Sequence, residues 1–327
     1  MKKTEISRRG FLTGTTMALT GALVATESVF GVPAYIKNLG KPNSVFNGVQ
    51  VGAITYSWRS MPGSAEDILR YCIECNISAI ELMGPTAEEF AGAPEAPSFT
   101  RGTQTDEQKT ARAEYAQKMA AWRAAVSMDK FVQLKKMYNK AGVSIYAYKP
   151  NALGSNNTDA EVDYACRAAK AMGASHTTVE IPKDSSESKR LGDIAAKNKI
   201  YIGYHGHLQQ TYTIWDEAMA QSKYNAMNFD MGHYVAAGLD PIPLITDKYQ
   251  HILSMHTKDR KSKANGGENV VWGEGDTPIV EALQLIRNNK YKFPATIELE
   301  YPIPAGSDAV KETAKCVEYA RKALEAS

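Results

Sequence analysis

The sequence predicts a (β/α)8 TIM barrel, an α/β fold, from three observations. Short β-branched runs alternate with amphipathic helical segments from residue 48 onward. Eight such strand–helix units fit into about 280 residues, which is the usual size of this barrel. No Gly-x-Gly-x-x-Gly follows any of the runs, although a doubly wound dinucleotide-binding sheet would carry one. The barrel is therefore favoured over the doubly wound sheet.

The predicted strands are rich in β-branched and aromatic residues, and a helical segment separates each from the next. They are GVQVGAITYSW (48–58), SAIELM (78–83), VSIYAYK (143–149), HTTVEIP (176–182), YIGYHGH (201–207), AMNFDMG (226–232), HILSMHTKD (251–259) and PATIELEYP (294–302). A final helical segment, SDAVKETAKCVEYARKAL (307–324), follows the eighth strand.

Two connections are longer than barrel closure requires. After strand two, residues 84–127 begin as a loop rich in proline and glycine and continue into an extra helix. After strand seven, residues 259–276 form a second long loop. Long insertions in compact domains usually cover an active site or form an interface. We therefore expect residues 84–127 to form a lid or an interface at the mouth of the barrel.

The first 34 residues are expected to be a signal peptide and residues 35–327 the barrel. The order Ser-Arg-Arg-x-Phe-Leu at residues 7–12, followed by a weakly apolar run, resembles a twin-arginine export signal. That run is too short and too rich in glycine and threonine to span a membrane. Cleavage is expected after Ala34, with Ala25 as the alternative, and the exported protein would be periplasmic.

Charge and cysteine content restrict the partners. The chain has 38 basic and 36 acidic residues, a net charge of +2, and no block of like charge. This charge balance argues against nucleic acid as a partner and, once the signal peptide is removed, against binding to a membrane surface. Cys72 and Cys75 form a C-x-x-C late in a helical segment, so we interpret them as core thiols and not as a redox pair. A small molecule is the expected partner, and a homo-oligomer is left open.

Histidines concentrate at one end of the predicted barrel. The carboxyl ends of parallel barrel strands converge on a single mouth, where catalytic residues lie. Four of the six histidines occupy these ends: His205, His207, His233 and His256. His176 and His251 instead open their strands, which predicts structural roles at the bottom.

Acidic residues follow the same rule. Glu81, Glu180 and Asp230 end strands two, four and six, and Glu298 and Glu300 end strand eight. Because side chains alternate along a strand, Glu298 and Glu300 share one face. Carboxylates directed into a barrel are costly unless a cation or hydrogen bonds compensate them.

These positions predict one divalent metal site. Strands five to eight offer His205, Asp230, His256 and Glu298 at one level, with Glu180 of strand four beside them. A mixed carboxylate and imidazole set suits Mn²⁺, Zn²⁺, Co²⁺ or Fe²⁺, and Mg²⁺ is a weaker fit. A hydrogen-bonded polar plug without metal is the alternative.

The order and spacing of these motifs resemble the xylose isomerase-like barrel superfamily of sugar isomerases, epimerases and dehydratases. The resemblance covers essentially the whole mature chain. It is carried by VEIP (179–182), GYHGH (203–207), DMGH (230–233), HTKD (256–259), GEGD (273–276) and IELE (297–300). It implies that Asp230, His256 and Glu298 bind one divalent metal together with a further glutamate.

Strand five departs from the family pattern. Many epimerases carry there a glutamate that is both ligand and base, whereas this chain has His205. In relatives with Tyr-His-x-His at this position, the strand-four glutamate would complete the metal sphere. The resemblance therefore implies that Glu180 is a ligand, and it weakens a symmetric two-glutamate mechanism.

The implied chemistry is proton abstraction next to a carbonyl of a small carbohydrate, through an enediolate. The expected catalytic residues are His207, Glu180, Glu300 and Lys258, and the expected substrate contacts are His233, Glu81 and Trp272. Reprotonation would make the protein an isomerase or epimerase. Expulsion of a leaving group would make it a 3-keto-glycoside lyase or hydratase, and a non-catalytic sugar-binding barrel is the third alternative.

Overall fold

The computed structural model describes residues 40–97 and 105–326. The proposed export signal and its cleavage site lie outside these residues, so the described chain does not bear on them. Within the described part, no helix combines the length and the apolar character needed to cross a membrane.

A closed sheet of parallel strands confirms the predicted barrel. The described strands are β1 (Val45–Phe46), β2 (Val49–Ile54), β3 (Ala79–Met83), β4 (Ser144–Lys149), β5 (His176–Glu180), β6 (Tyr201–His205), β7 (Asn225–Asp230), β8 (Ile252–Thr257), β9 (Asp259–Arg260), β10 (Asn269–Val270) and β11 (Ala295–Ile297). The predicted strands one to eight are β2 to β8 and β11, and the pairings of β2 with both β3 and β11 close the ring. The short β1 pairs antiparallel with β2 at the bottom.

Helices surround this ring and bury its outer face. They are α1 (Ala65–Glu74), α2 (Gly84–Phe90), α3 (Asp106–Ala125), α4 (Asp129–Ala141), α5 (Asp159–Met172), α6 (Ser185–Asn198), α7 (Asp216–Gln221), α8 (Met231–Ala236), α9 (Pro241–Lys248), α10 (Ile279–Asn289) and α11 (Ala309–Glu325). Their apolar stripes pack on the strands in one hydrophobic core that includes all four cysteines as free thiols, as expected for Cys72 and Cys75.

Local sequence signals set where these helices begin and end. At the start of α5, Thr158 accepts from the backbone N–H of Glu161, and the Glu161 carboxylate accepts from the backbone N–H of Thr158. This reciprocal capping satisfies two of the orphan donors of a helix N-terminus. The same helix ends at Gly173, whose φ of +84° is the left-handed conformation that glycine adopts without a steric penalty.

The insertion after β3 is more helical than its composition suggests. We expected a loop from residue 84, but the chain enters α2 directly, because Pro85 stands in the first turn, where a fixed φ and a missing N–H cost nothing. The expected extra helix is α3, capped by Thr105 and Gln108. That this insertion acts as a lid stays a prediction.

A buried ion-pair network fastens the insertion to the barrel. The Arg123 guanidinium lies 2.8 Å from Glu88 of α2 and 3.0 Å from Glu161 of α5, and it donates to the Asn151 carbonyl. The three charged side chains are 5–7% exposed. The end of α3 is thus joined to the β4–α5 connection, at the carboxyl end of the barrel.

The interior of the barrel is polar below the mouth. His176, predicted as a structural residue at the bottom, is fully buried and hydrogen-bonds Ser175 and Ser254. Across the barrel, the Tyr146 hydroxyl bonds Thr296 at 2.7 Å. Burial lowers the pKa of His176 to about 4, so its imidazole is neutral at physiological pH. Paired polar side chains thus fill the barrel interior directly below the residues of the mouth.

Candidate metal centre at the barrel mouth

The four strand-end residues of the predicted metal site come together, although they do not share one level of the sheet. The ladder pairs Asp230 with His256, but it pairs His205 with Asn228. Strands of a closed barrel tilt and are staggered, so side chains from different levels can meet. One donor atom from each of His205, Asp230, His256 and Glu298 lies within 4.8 Å of the others, and all four residues are buried.

Distances within this cluster are short. His256 Nδ1 is 3.1 Å from Glu298 Oε2 and 3.8 Å from Asp230 Oδ2. His205 Nε2 is also 3.8 Å from Asp230 Oδ2. Two carboxylates and two imidazoles therefore surround one point at the ends of β6, β7 and β8 and just beyond β11.

The Lys258 ammonium lies against the same carboxylates. Its Nζ is 2.9 Å from Asp230, 2.5 Å from Glu298 and 2.7 Å from Glu300. Burial alone would lower the pKa of Lys258, but these carboxylates outweigh burial and raise it, so the side chain stays cationic. Burial also opposes ionisation of Glu298, yet Lys258 and His256 hold its pKa well below the usual range. For Asp230, burial prevails and raises the pKa.

Several donors of the cluster are not satisfied by the protein. Asp230 Oδ2 has no hydrogen bond of good geometry, although Lys258 Nζ lies close to it, and buried His205 Nδ1 has no partner. Buried polar atoms are nearly always paired, so the unpaired Asp230 Oδ2 between His205 and His256 indicates a missing partner. Two carboxylates with two imidazoles suit Mn²⁺, Zn²⁺, Co²⁺ or Fe²⁺. The cluster therefore fits a divalent metal ion.

Glu81 is fully buried next to this cluster, and its expected contact with substrate stays a prediction. Its fully buried carboxylate is 2.8 Å from His256 Nε2 and accepts from Thr178 at 2.5 Å and from Asn228. Burial opposes its ionisation, but His256 outweighs burial and lowers the pKa of Glu81. With Glu81 and Glu298 on its two nitrogens, the pKa of His256 rises to about 10 despite burial. Glu81 thus orients the ring so that Nδ1 faces Asp230 and Glu298.

We expect Glu81→Gln to weaken metal binding about 10- to 100-fold, the usual cost of losing a carboxylate that orients a histidine ligand. The glutamine amide keeps the volume but loses the charge that holds the Nε2 proton. Titration of the metal-free variant with Mn²⁺ or Zn²⁺ measures the change in Kd. Glu89→Gln, on the exposed face of α2, is the control. Equal Kd values for Glu81→Gln and wild type would contradict this role.

Glu180 lies outside the four-residue cluster, in a pair on the rim. Its carboxylate is 2.9 Å from His207 Nε2 and accepts from Lys149 Nζ at 3.0 Å. Burial opposes ionisation, but His207 and Lys149 outweigh it and lower the pKa of Glu180 to about 2. The hydrogen bond from His207 to Glu180 in turn raises the pKa of His207. About half of each side chain in this pair is exposed, at 51% for His207 and 49% for Glu180.

His233 joins the rim pair to the cluster. Its ring stacks on His207, with centroids 4.5 Å apart and planes at 17°, and its Nε2 is 3.7 Å from Glu300. Arg260 contacts the opposite ring nitrogen, Nδ1. Burial, with Lys258 and His207 nearby, lowers the pKa of His233 to about 3. Neutral His233 therefore lies between the rim and the buried donors.

Trp272 does not present an open ring face for a sugar. Its side chain is 7% exposed, belongs to the hydrophobic core and meets Tyr319 of α11 edge-on at 5.8 Å. The loop around it is ordered by Asp259, whose carboxylate accepts from the backbone N–H groups of Gly273, Gly275 and Thr277. The expected contact of Trp272 with substrate stays a prediction.

Sequence reasoning missed four residues of the mouth: Lys149, Thr178, Asn228 and Arg260. Lys149 ends β4, so the strand-end rule that selects the acids and histidines also points to it. Thr178 and Asn228 lie two residues before Glu180 and Asp230, so strand alternation could have placed them on the same faces. No sequence pattern points to Arg260, because its contact with His233 depends on the path of the loop after β8.

Neither a protein-family model nor a curated protein matches the chain. Solved structures do match it. The 3-keto-D-glucoside 4-epimerase YcjR from E. coli has a TM-score of 0.57 at 11% identity, over 84% of this chain and 99% of that chain. The 3-DHS dehydratase AsbF from Bacillus anthracis has a TM-score of 0.56 at 15% identity, over 82% and 97%. The IOLI protein with a binding zinc atom has a TM-score of 0.55 at 16% identity, over 84% and 98%.

Other matched structures are described as a sugar phosphate isomerase/epimerase and as a xylose isomerase domain protein. At identities of 14–16% such likeness establishes the fold. The described chain has the fold of the xylose isomerase-like TIM barrels.

Proposed function

We propose that the protein is a divalent-metal-dependent isomerase or epimerase that acts on a keto-sugar or related carbohydrate through an enediolate. One observation carries the proposal: the cluster of His205, Asp230, His256 and Glu298 adjoins a half-exposed histidine–carboxylate pair at the mouth. Matched structures named as a 3-keto-D-glucoside epimerase and as a sugar phosphate isomerase/epimerase support it. The IOLI protein with its zinc atom supports a metal cofactor.

His205, Asp230, His256 and Glu298 would hold the ion, and Glu81 would orient His256. A bound divalent cation acts as a Lewis acid toward adjacent carbonyl and hydroxyl oxygens of a sugar. Glu180 was expected to be a ligand, but its bonds to His207 and Lys149 support a role in proton transfer instead.

His207 would move the proton. If its Nε2–H donates to Glu180, the lone pair of Nδ1 is free to act as the base. Lys149 keeps Glu180 ionised, and an ionised Glu180 stabilises the imidazolium that forms when His207 takes a proton. Glu180 would thus orient His207 and balance the positive charge of its imidazolium, as in other histidine–carboxylate pairs.

Lys258 would act on the negative charge that develops as the proton leaves, and Glu300 would contact a substrate hydroxyl. Lys258 is held cationic and close to Asp230, Glu298 and Glu300, so it can stabilise negative charge on a substrate oxygen. Glu300 is part-exposed beside it and can accept from a sugar hydroxyl. The Lys258 cation would therefore stabilise the anionic enediolate more than the neutral substrate.

Elimination is the second candidate, as in a 3-keto-glycoside lyase or hydratase. The same proton abstraction can be followed by expulsion of a β-substituent instead of reprotonation. The match to a dehydratase of the same fold favours keeping this candidate.

We also propose, from the N-terminal residues, export by the twin-arginine route to the periplasm, where the partner would be a small carbohydrate.

Metal-loaded full-length protein should therefore exchange the proton next to the carbonyl of 3-keto-glucosides in D₂O, and EDTA should abolish the exchange. Proton NMR and mass spectrometry of oxidised and unoxidised disaccharides distinguish the outcomes. A moved carbonyl at unchanged mass, apart from deuterium, means isomerisation, and free sugar that appears together with an unsaturated keto-sugar means elimination. Binding of the keto-sugars without exchange or conversion would contradict an enzymatic function and leave a sugar-binding barrel.

A further inference from the structure

Three imidazoles form a second group of potential donors at the mouth. One ring nitrogen from each of His205, His207 and His233 lies within 4.8 Å of the others. By residue type alone this group could bind a second metal ion. The surroundings of His233 decide against that assignment.

Arg260 determines which nitrogen of His233 carries the proton. An Nη1–H of Arg260 donates to His233 Nδ1. A guanidinium has only donors and stays charged in proteins, so Nδ1 must be the unprotonated acceptor. The proton of the neutral imidazole is then on Nε2. A protonated Nε2 has no lone pair for a metal, so His233 cannot complete a three-histidine site.

The remaining donors of Arg260 hold it in this orientation. Its Nε and Nη2 both donate to the Gly267 carbonyl, and its backbone N–H donates to Thr277 Oγ1 at 3.0 Å. Because the planar guanidinium is also bound at Nε and Nη2, Nη1 has little freedom to leave His233. The Asp259 carboxylate orders the same loop through Gly273 and Gly275.

The Nε2–H of His233 lacks a partner. Its nitrogen is buried without a hydrogen bond, and its nearest carboxylate oxygen, on Glu300, is 3.7 Å away. The ring is stacked on His207 and its centroid is 6.0 Å from that of His205, so the N–H lies beside the proposed base and near the metal cluster. A buried donor without a partner is rare in proteins, and at a functional site it indicates a ligand oxygen.

We propose that Arg260 is a positioning residue that keeps His233 as a neutral Nε2–H donor to a substrate oxygen. This inference rests on the proposed function for the substrate class, a carbonyl or hydroxyl oxygen of a keto-sugar. A neutral imidazole donor can stabilise an oxyanion without becoming charged, as a histidine does in another barrel isomerase. His233 would thus act at the oxygen while His207 acts at the carbon.

The ¹⁵N spectrum of full-length protein labelled in histidine tests the tautomer without any substrate. The His233 signals, assigned with His233→Asn, should show a protonated Nε2 and an acceptor Nδ1. Arg260→Met should shift the population toward the Nδ1–H form, and Arg260→Lys, which keeps a donor, should restore the wild-type pattern. An unprotonated Nε2 in the wild type would overturn the assignment even if the variants do not fold.

Kinetics separate positioning from a general loss of structure. Arg260→Met should lower kcat about 10²-fold, the usual cost of one oxyanion donor, with a smaller change in KM. Asn265→Ala removes the bond to Asp276 in the same loop without touching His233, and it should change neither kcat nor the spectrum. Equal losses in both variants would mean that Arg260 only anchors the loop.

Metal stoichiometry gives an independent check. Titration of metal-free protein with Zn²⁺ should show one tight site, and His233→Asn should keep it. Two tight sites, with the second lost in His233→Asn, would establish the three-histidine site and overturn the proposal. A protonated Nε2 in a protein that does not convert keto-sugars would contradict the proposed function and the substrate donor role while leaving the tautomer assigned to Arg260.

Discussion

Asp230→Asn is expected to abolish tight metal binding and to lower kcat/KM at least about 10³-fold, since Lewis-acid stabilisation contributes several kcal/mol. Asp230 has separate uses for its two oxygens. Oδ1 accepts from the backbone N–H of His233 at 2.7 Å and caps α8, whereas Oδ2 faces His205 and His256. Asparagine keeps the capping carbonyl and replaces the ligand oxygen with an amide that cannot bind a cation. The fold should therefore survive while the metal is lost.

The measurements are metal content after dialysis and kcat/KM with and without added Mn²⁺ or Zn²⁺. Asp240→Asn is the matched control, because Asp240 caps α9 through its bond to the backbone N–H of Ile242. This control makes the same change in the same kind of cap, on a different helix, and should keep both metal and activity. Full metal occupancy in Asp230→Asn would show that Asp230 is not a ligand, and a wild-type protein without bound metal would show that the cluster is a hydrogen-bonded plug.

Arg123→Met is expected to lower the free energy of unfolding by about 3–5 kcal/mol, the usual cost of removing one partner from a buried ion pair. Methionine preserves much of the volume but leaves Glu88 and Glu161 buried without their cation. Unfolding in urea, followed by circular dichroism, measures the loss. Arg167→Met, which removes a part-exposed pair with Asp163 on α5, is the control and should change stability by less than about 1 kcal/mol.

The loss should also depend on pH. Burial opposes ionisation of Glu161, but hydrogen bonds from Thr158 and Arg123 outweigh burial and lower the pKa of Glu161 below its usual value. A carboxyl group with a depressed folded pKa stabilises the fold above its unfolded pKa and loses this contribution as pH falls through the folded pKa. The difference between wild type and Arg123→Met should therefore be largest above about pH 5 and shrink in acid. A pH-independent difference would mean that packing, not charge, explains the loss.

The sequence alone predicts the order of the eight barrel strands and the end of the barrel at which the acids and histidines gather. Alternation of apolar runs with helical periods predicts eight strand–helix units, because burial on one face imposes a period of 2 or 3.6. The strand-end rule then selects His205, Asp230, His256 and Glu298 from a chain with 36 acidic residues and six histidines. The local rule succeeds because all strands of a parallel barrel run in one direction.

Which of these residues touch depends on the tertiary structure. Glu81 and His256 are 175 positions apart and meet because strands stagger around the closed ring, a displacement that no local pattern encodes. The same stagger leaves Glu180 opposite His205 in the ladder, yet Glu180 bonds His207 and Lys149 instead of entering the cluster. The contacts of Arg260 with His233 and of Arg123 with Glu161 likewise depend on long-range packing. Periodicity predicts which face of a strand is buried and where the strand ends. Which residue a side chain meets across the barrel depends on closure, which is a property of the whole sheet.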